Sequence, residues 1–144
     1  MSNRIIFLYP HAAAKSVIAA TYCGQLADQW GVSLHATSAG TEPDAEVAPA
    51  VVALLRTEGI DVSDHRPRRV TPEELAAAHR IISLGCDLGD LARPGMVIEH
   101  WDDVPPPSQN LLVARDHIRA HVEQLLATFR HADIRSPDAV QRAL

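Results

Sequence analysis

Between residues 5 and 130 the chain alternates repeatedly between short apolar runs and stretches of helical periodicity. Few folds satisfy that alternation. Each apolar run needs a neighbour on both faces, and each helical stretch must cross back over the sheet to start the next strand. The expectation is an α/β three-layer sandwich with a four-stranded parallel sheet joined by right-handed crossovers.

The elements follow from local patterns. Ile5-Ile6-Phe7-Leu8 is a continuous apolar run, as a strand buried on both faces requires. Pro10 ends it. From His11 to Trp30 the alanines at 12, 13 and 14 favour helix, and Val17, Ile18, Tyr22, Leu26 and Trp30 recur near every 3.6 residues until Gly31. Val32 to Thr37 alternates as a second strand, and Ser38 to Pro43 is rich in turn residues. Glu46 to Thr57 predicts a helix with Val47, Val51, Leu54 and Leu55 inward, closed by Gly59. Ile60 to Val70 predicts a surface loop carrying Arg66, Arg68 and Arg69, free to meet an acidic partner. Thr71-Pro72-Glu73-Glu74 has an N-cap, a proline at the first helical position and acids in the first turn. Arg80 to Leu84 and Met96 to Trp101 complete the strands, and the prolines 105, 106 and 107 put Asp102 to Ser108 in an extended loop after them. A long helix then runs from about Asn110 to Arg130, with Val113, Ile118, Val122, Leu125 and Leu126 inward.

At 144 residues the chain suits one domain, expected as a core at 4–130 and a C-terminal tail at 131–144. Net charge is -5 and only 4% of residues are aromatic, which argues against a nucleic-acid partner. No apolar run approaches the ~18–20 residues of a spanning helix, so no membrane partner is expected. No export signal is read at the start, and two cysteines, Cys23 and Cys86, cannot make a disulfide scaffold. The expected setting is a reducing cytoplasm. His117 and His121 have metal-capable spacing, but no other ligand pattern accompanies them, so neither a metal nor a cofactor is expected.

In parallel sheets the ligand crevice lies beyond the C-terminal strand ends, which singles out Tyr9 to Ser16. The helix start after the first strand, then Ser38-Ala39-Gly40-Thr41, Gly59-Ile60-Asp61-Val62-Ser63-Asp64-His65-Arg66, Gly85-Cys86-Asp87 and Glu99-His100-Trp101-Asp102-Asp103 follow in an order that resembles one family. The chain is similar to the low-molecular-weight protein tyrosine phosphatases and the thiol-coupled arsenate reductases, a resemblance that implies the strand order 2-1-3-4. The resemblance implies a loop of cysteine, five residues, arginine and serine or threonine. Its backbone amides and the following helix N-terminus cradle a tetrahedral oxyanion and lower the cysteine pKa. The arginine clamps two oxygens, and an aspartate on a distant loop protonates the leaving group.

Laid on that motif, Tyr9 stands at the cysteine, Lys15 at the arginine and Pro105 at the acid, while Ser16 is kept. If the register slips by one residue, the acid position becomes Pro106. A phenol has an ordinary pKa of ~10 against ~8.5 for a thiol, and its hydroxyl reaches past a site built for sulfur. Lysine keeps the charge but loses the planar fork. The loop middle, His11-Ala12-Ala13-Ala14, replaces the glycine and asparagine the family usually carries there. Alanine resists left-handed angles by roughly 1–2 kcal/mol, so the loop is expected to be partly wound into the first helix, from about Pro10 or His11.

The preferred expectation is a relative without the family's cysteine mechanism. Residues 9–16 (Tyr9, Pro10, His11, Ala12, Ala13, Ala14, Lys15 and Ser16) would form a vestigial anion-binding loop for a small oxyanion, a phosphorylated ligand or a protein partner. One alternative is a phosphatase or arsenate reductase with rebuilt chemistry, using His11, Lys15 or Asp103 as a displaced acid. Another is a structural or oligomerising module, a homodimer being one form. Cys86 is the candidate redox thiol, because a Gly-Cys-Gly-Asp-x-Cys pattern stands there in one arsenate reductase branch; here Asp90 occupies the second cysteine's place.

Overall fold

A computed structural model describes residues 3–134. The strands are β1 (Asn3–Leu8), β2 (Leu34–Ala39), β3 (Arg80–Ser83) and β4 (Ile98–His100). The helices are α1 (Lys15–Trp30), α2 (Pro49–Thr57), α3 (Pro72–Ala77) and α4 (Leu111–Ile134), with a single 3-10 turn at Gly89–Leu91. All strand pairs are parallel, as the alternation of strands and helices predicts, and the order is β2-β1-β3-β4, as expected.

β1 is central because its four apolar residues have two different faces to fill. Ile5 and Phe7 join a core with Val17, Ile18 and Tyr22 of α1, Val51 and Leu55 of α2, and Ile118, Val122 and Leu126 of α4. Ile6 and Leu8 join a smaller core with Val70, Leu75 of α3, Ile81 and Leu88. Helices thus cover both faces of the sheet. Burying each large aliphatic side chain contributes about 1.5–3 kcal/mol, so the larger cluster dominates stability.

Several boundaries differ from the sequence reading. β2 lies two residues later than the alternation suggested. α2 begins at Pro49 rather than Glu46, and β4 is shorter. Proline suits the first turn, where its missing N–H costs nothing. On α4, Val113 is 39% exposed and Ala114 takes the inward place. That helix runs to Ile134, four residues past the expected end of the core, and the rest of the proposed tail lies outside the described residues. The α3 start is as expected: Thr71 caps it, its hydroxyl accepting from the Glu74 amide. No described helix is long and apolar enough to cross a membrane.

The main correction concerns the start of α1. The helix begins at Lys15, and residues 10–14 form a non-helical loop. Three of its carbonyls are taken by the segment before α2. Pro10 O accepts from the Glu42 amide (2.8 Å), His11 O from Asp44 (2.9 Å) and Ala13 O from Ala48 (2.9 Å). Ala12 is fully buried with φ 53°. These cross-links oppose the helical preference of three alanines, and Ala12 pays the strain of a left-handed residue.

Candidate active-site loop

The loop hangs from the end of β1. The Tyr9 amide still donates to Ala39 O, as a ladder bond would, and Tyr9 O accepts from the Ala12 amide at 3.0 Å. Beside it Gly40 passes so close that a Cβ there would lie 2.3 Å from Tyr9 O and 2.4 Å from Pro10 O. Gly40 is fixed in that place by a bridge to the 68–70 segment, its amide donating to Arg68 O and its carbonyl accepting from Val70.

With the carbonyls of residues 10, 11 and 13 turned to the 42–48 segment, the donors remain. The amides of His11 and of residues 13–17 have no backbone acceptor among the described residues; the first helical bond is Ile18 N to Ala14 O. No side chain caps the helix at Ala14. A run of amides at a helix N-terminus carries partial positive charge and suits an anion. Ser16 is fully buried and accepts from the Ser38 hydroxyl at 2.7 Å, pinning the first turn of α1 to β2.

The side chains do not repeat the backbone's pattern. Tyr9 is half-buried against the larger core, its ring centroid 6.4 Å from that of His11. Lys15 projects toward the proline loop. Its ammonium donates to Val104 O at 3.0 Å and lies 5.6 Å from the Tyr9 ring centroid. Burial lowers the Lys15 pKa from its ordinary value, and the charge of Asp102 pulls the other way. His11 is exposed. Its Nδ1 donates to Glu42 O at 3.1 Å and lies 3.4 Å from Asp44 Oδ1.

The remaining candidates are dispersed. Asp103 accepts from His121 Nε2 at 2.7 Å, and the His121 ring stacks on Trp101 at 4.6 Å between centroids. That bond holds the Asp103 carboxyl below its ordinary pKa. His121 is therefore occupied, His117 is exposed, and no group of three or more metal-ligating side chains occurs among the described residues. Cys86 is 7% exposed with its thiol 3.8 Å from the Thr41 hydroxyl, and burial raises its pKa. It also lines a cavity of about 430 Å³ with Ser83, His100 and Asp102 at the ends of β3 and β4. The basic loop is largely spoken for: Arg68 pairs with Glu74, Arg69 donates to Thr41 O and Arg66 to Ser63 O.

Sequence reasoning missed the supports of the loop: Gly40, the amides of Glu42, Asp44 and Ala48, and the Val104 carbonyl. Only Gly40 left a signal, in its turn-rich segment. It also missed that His65 Nε2 and Glu74 Oε2 are buried without a partner.

A protein described as "Putative arsenate reductase" from Halobacterium salinarum is 29% identical over 92 residues, 64% of this chain and 64% of its own length. The thioredoxin-dependent arsenate reductase Cg_ArsC1' of Corynebacterium glutamicum superposes with a TM-score of 0.78 at 24% identity. It covers 91% of this chain but only 63% of that one. An arsenate reductase in the phosphate-binding state superposes with a TM-score of 0.70 at 23% identity, over 88% of this chain and 98% of that one. At such identities the structural matches speak for the fold. The model of the family described as low molecular weight phosphotyrosine protein phosphatase matches residues 4–134. Nearly all of the described chain lies within that match, and the protein belongs to the low molecular weight phosphotyrosine protein phosphatase family.

Proposed function

We propose that the protein keeps this family's oxyanion cradle, lacks its cysteine chemistry, and acts as a binding or regulatory module for a small tetrahedral oxyanion or a phosphorylated group. The observation that carries the proposal is the loop at 10–14. Three of its carbonyls are tied away while six nearby amides have no backbone acceptor among the described residues, although alanine occupies positions where helix would cost less. Retaining a strained buried Ala12 fits a loop whose shape has a use.

The side chains support the second half of the proposal. Covalent attack needs a thiolate within reach of the anion, and the residue at the strand end is Tyr9. The cation at the helix start is a lysine bonded to Val104 O, so the planar two-oxygen clamp is missing. Pro105 and Pro106, where the leaving-group acid would stand, carry no proton to give. The two free thiols, Cys23 and Cys86, suit the reducing cytoplasm as the proposed setting.

A rebuilt enzyme is the second reading, and His11 favours it. An imidazole whose Nδ1–H is held by Glu42 O beside Asp44 is oriented as a general base would be.

Calorimetric titration of the full chain with inorganic phosphate tests binding. A tenfold excess over Kd should stabilise the fold by about 1.4 kcal/mol. Absence of heat and of a thermal shift at tens of millimolar phosphate would reject the cradle. Hydrolysis of p-nitrophenyl phosphate that His11→Ala abolishes would replace the binding module with the rebuilt enzyme.

A further inference from the structure

The proline loop and the cradle share one cation. Lys15 is the first residue of α1, so its amide belongs to the run of donors described above, yet its ammonium is spent on the carbonyl of Val104 across 89 positions of sequence. Everything that holds the ammonium there is modest: one neutral carbonyl, the face of the Tyr9 ring and the field of Asp102. A doubly charged oxyanion seated on the neighbouring amides offers a stronger partner, because it adds charge–charge attraction that the neutral Val104 carbonyl cannot supply.

We propose that Lys15 is a two-position tether. In one position it holds the proline loop through Val104 O; in the other it completes the site of a bound phosphate-like anion and lets the loop go. This inference rests on the binding reading above and adds how occupancy would be reported to the rest of the molecule. The released span is defined by what else is anchored. Asp103 stays with His121, and the Val104 side chain, 4% exposed, stays in the core. What lies beyond is 105–110, where the amides of Gln109 and Asn110 both donate to Pro106 O at 3.1 and 3.4 Å. Those two local bonds depend on the loop keeping its path. Binding at the amides of α1 thereby becomes a change in a surface segment next to α4.

Hydrogen exchange of the full-length protein, read on peptides spanning 104–112, tests the tether with inorganic phosphate as the probe and calorimetry to establish its binding. Lys15→Met keeps the apolar stem and removes the charge. Without phosphate, this variant should exchange roughly tenfold faster in the loop than the wild type, the scale of one charge-assisted hydrogen bond. Saturating phosphate should bring the wild type toward that rate while the β1 and α1 peptides slow. Phosphate that binds without changing loop exchange would overturn the tether and leave the binding module standing. A Lys15→Met loop as protected as the wild type would also overturn it. Phosphate that does not bind at all would remove the binding reading, and the tether with it.

Discussion

Replacing Gly40 by alanine tests whether the loop's shape is imposed from outside. Gly40 supplies no side-chain chemistry. The new Cβ would nevertheless lie 2.3 and 2.4 Å from two backbone oxygens, those of Tyr9 and Pro10. An ordinary carbon–oxygen contact needs roughly 1 Å more, and neither oxygen belongs to a flexible side chain that could swing away. Moving the Tyr9–Pro10 peptides disturbs the bonds they accept from Ala12 and Glu42. Overpacking of this kind costs about 1–3 kcal/mol, and two weakened hydrogen bonds add about 0.5–1.5 kcal/mol each. The total, on the order of 2–6 kcal/mol, corresponds to a Tm drop on the order of 10 °C in a domain of this size. Thermal unfolding followed by circular dichroism reads the first effect, and phosphate titration reads the second. Gly24→Ala is the control. Nothing lies within 4 Å of its Cβ in the middle of α1, and it should stabilise by about 0.5–1 kcal/mol through helix propensity. A Gly40→Ala protein that melts with the wild type and still binds phosphate would show that the loop does not depend on this contact.

Three further outcomes are expected. Ser38→Ala removes the donor to the buried Ser16 hydroxyl and should cost about 1–3 kcal/mol, whereas the double change with Ser16→Ala should cost less than the sum of the two singles in a urea-denaturation cycle. The Asp103 carboxyl is depressed in the folded state by His121, so its contribution to stability is present above its unfolded pKa and fades as pH falls through the folded one. His121→Asn should bring the Asp103 carboxyl back toward its ordinary value in an NMR titration and flatten that part of the acid stability profile. Burial pushes Cys23 up to about 12 and raises Cys86 as well, so neither thiol should react with iodoacetamide in the native protein near neutral pH, and both should react in urea.

The fold was legible because two physical signals agreed. Strands such as Ile5–Leu8 are apolar on both faces, and the helices between them carry stripes that fit only a sheet covered on both sides. Strand order followed from the resemblance. The loop after β1 was legible in position and illegible in conformation. Pro10 and three alanines favour helix, and propensity is a local quantity of at most about 1 kcal/mol per residue. What overrides it is distant: the amides of Glu42, Asp44 and Ala48, and the close passage of Gly40. Lys15 was recognised as a cation at the start of the first helix, but its partner lies 89 residues away and is a backbone carbonyl, which no side-chain pattern announces. Asp103 was singled out as a displaced acid because it stands close in sequence to the proline loop. His121, a full element later, engages its carboxylate.

The central claim is that this member of the family carries the cradle without the cysteine mechanism. Steady-state turnover by the purified full-length protein, with p-nitrophenyl phosphate and with arsenate plus a thiol reductant, tests it most directly. Rates at the buffer background, unchanged in Tyr9→Phe, are the predicted result. A clear turnover that disappears in Tyr9→Phe would contradict it, since the phenol at the strand end would then be supplying the nucleophile.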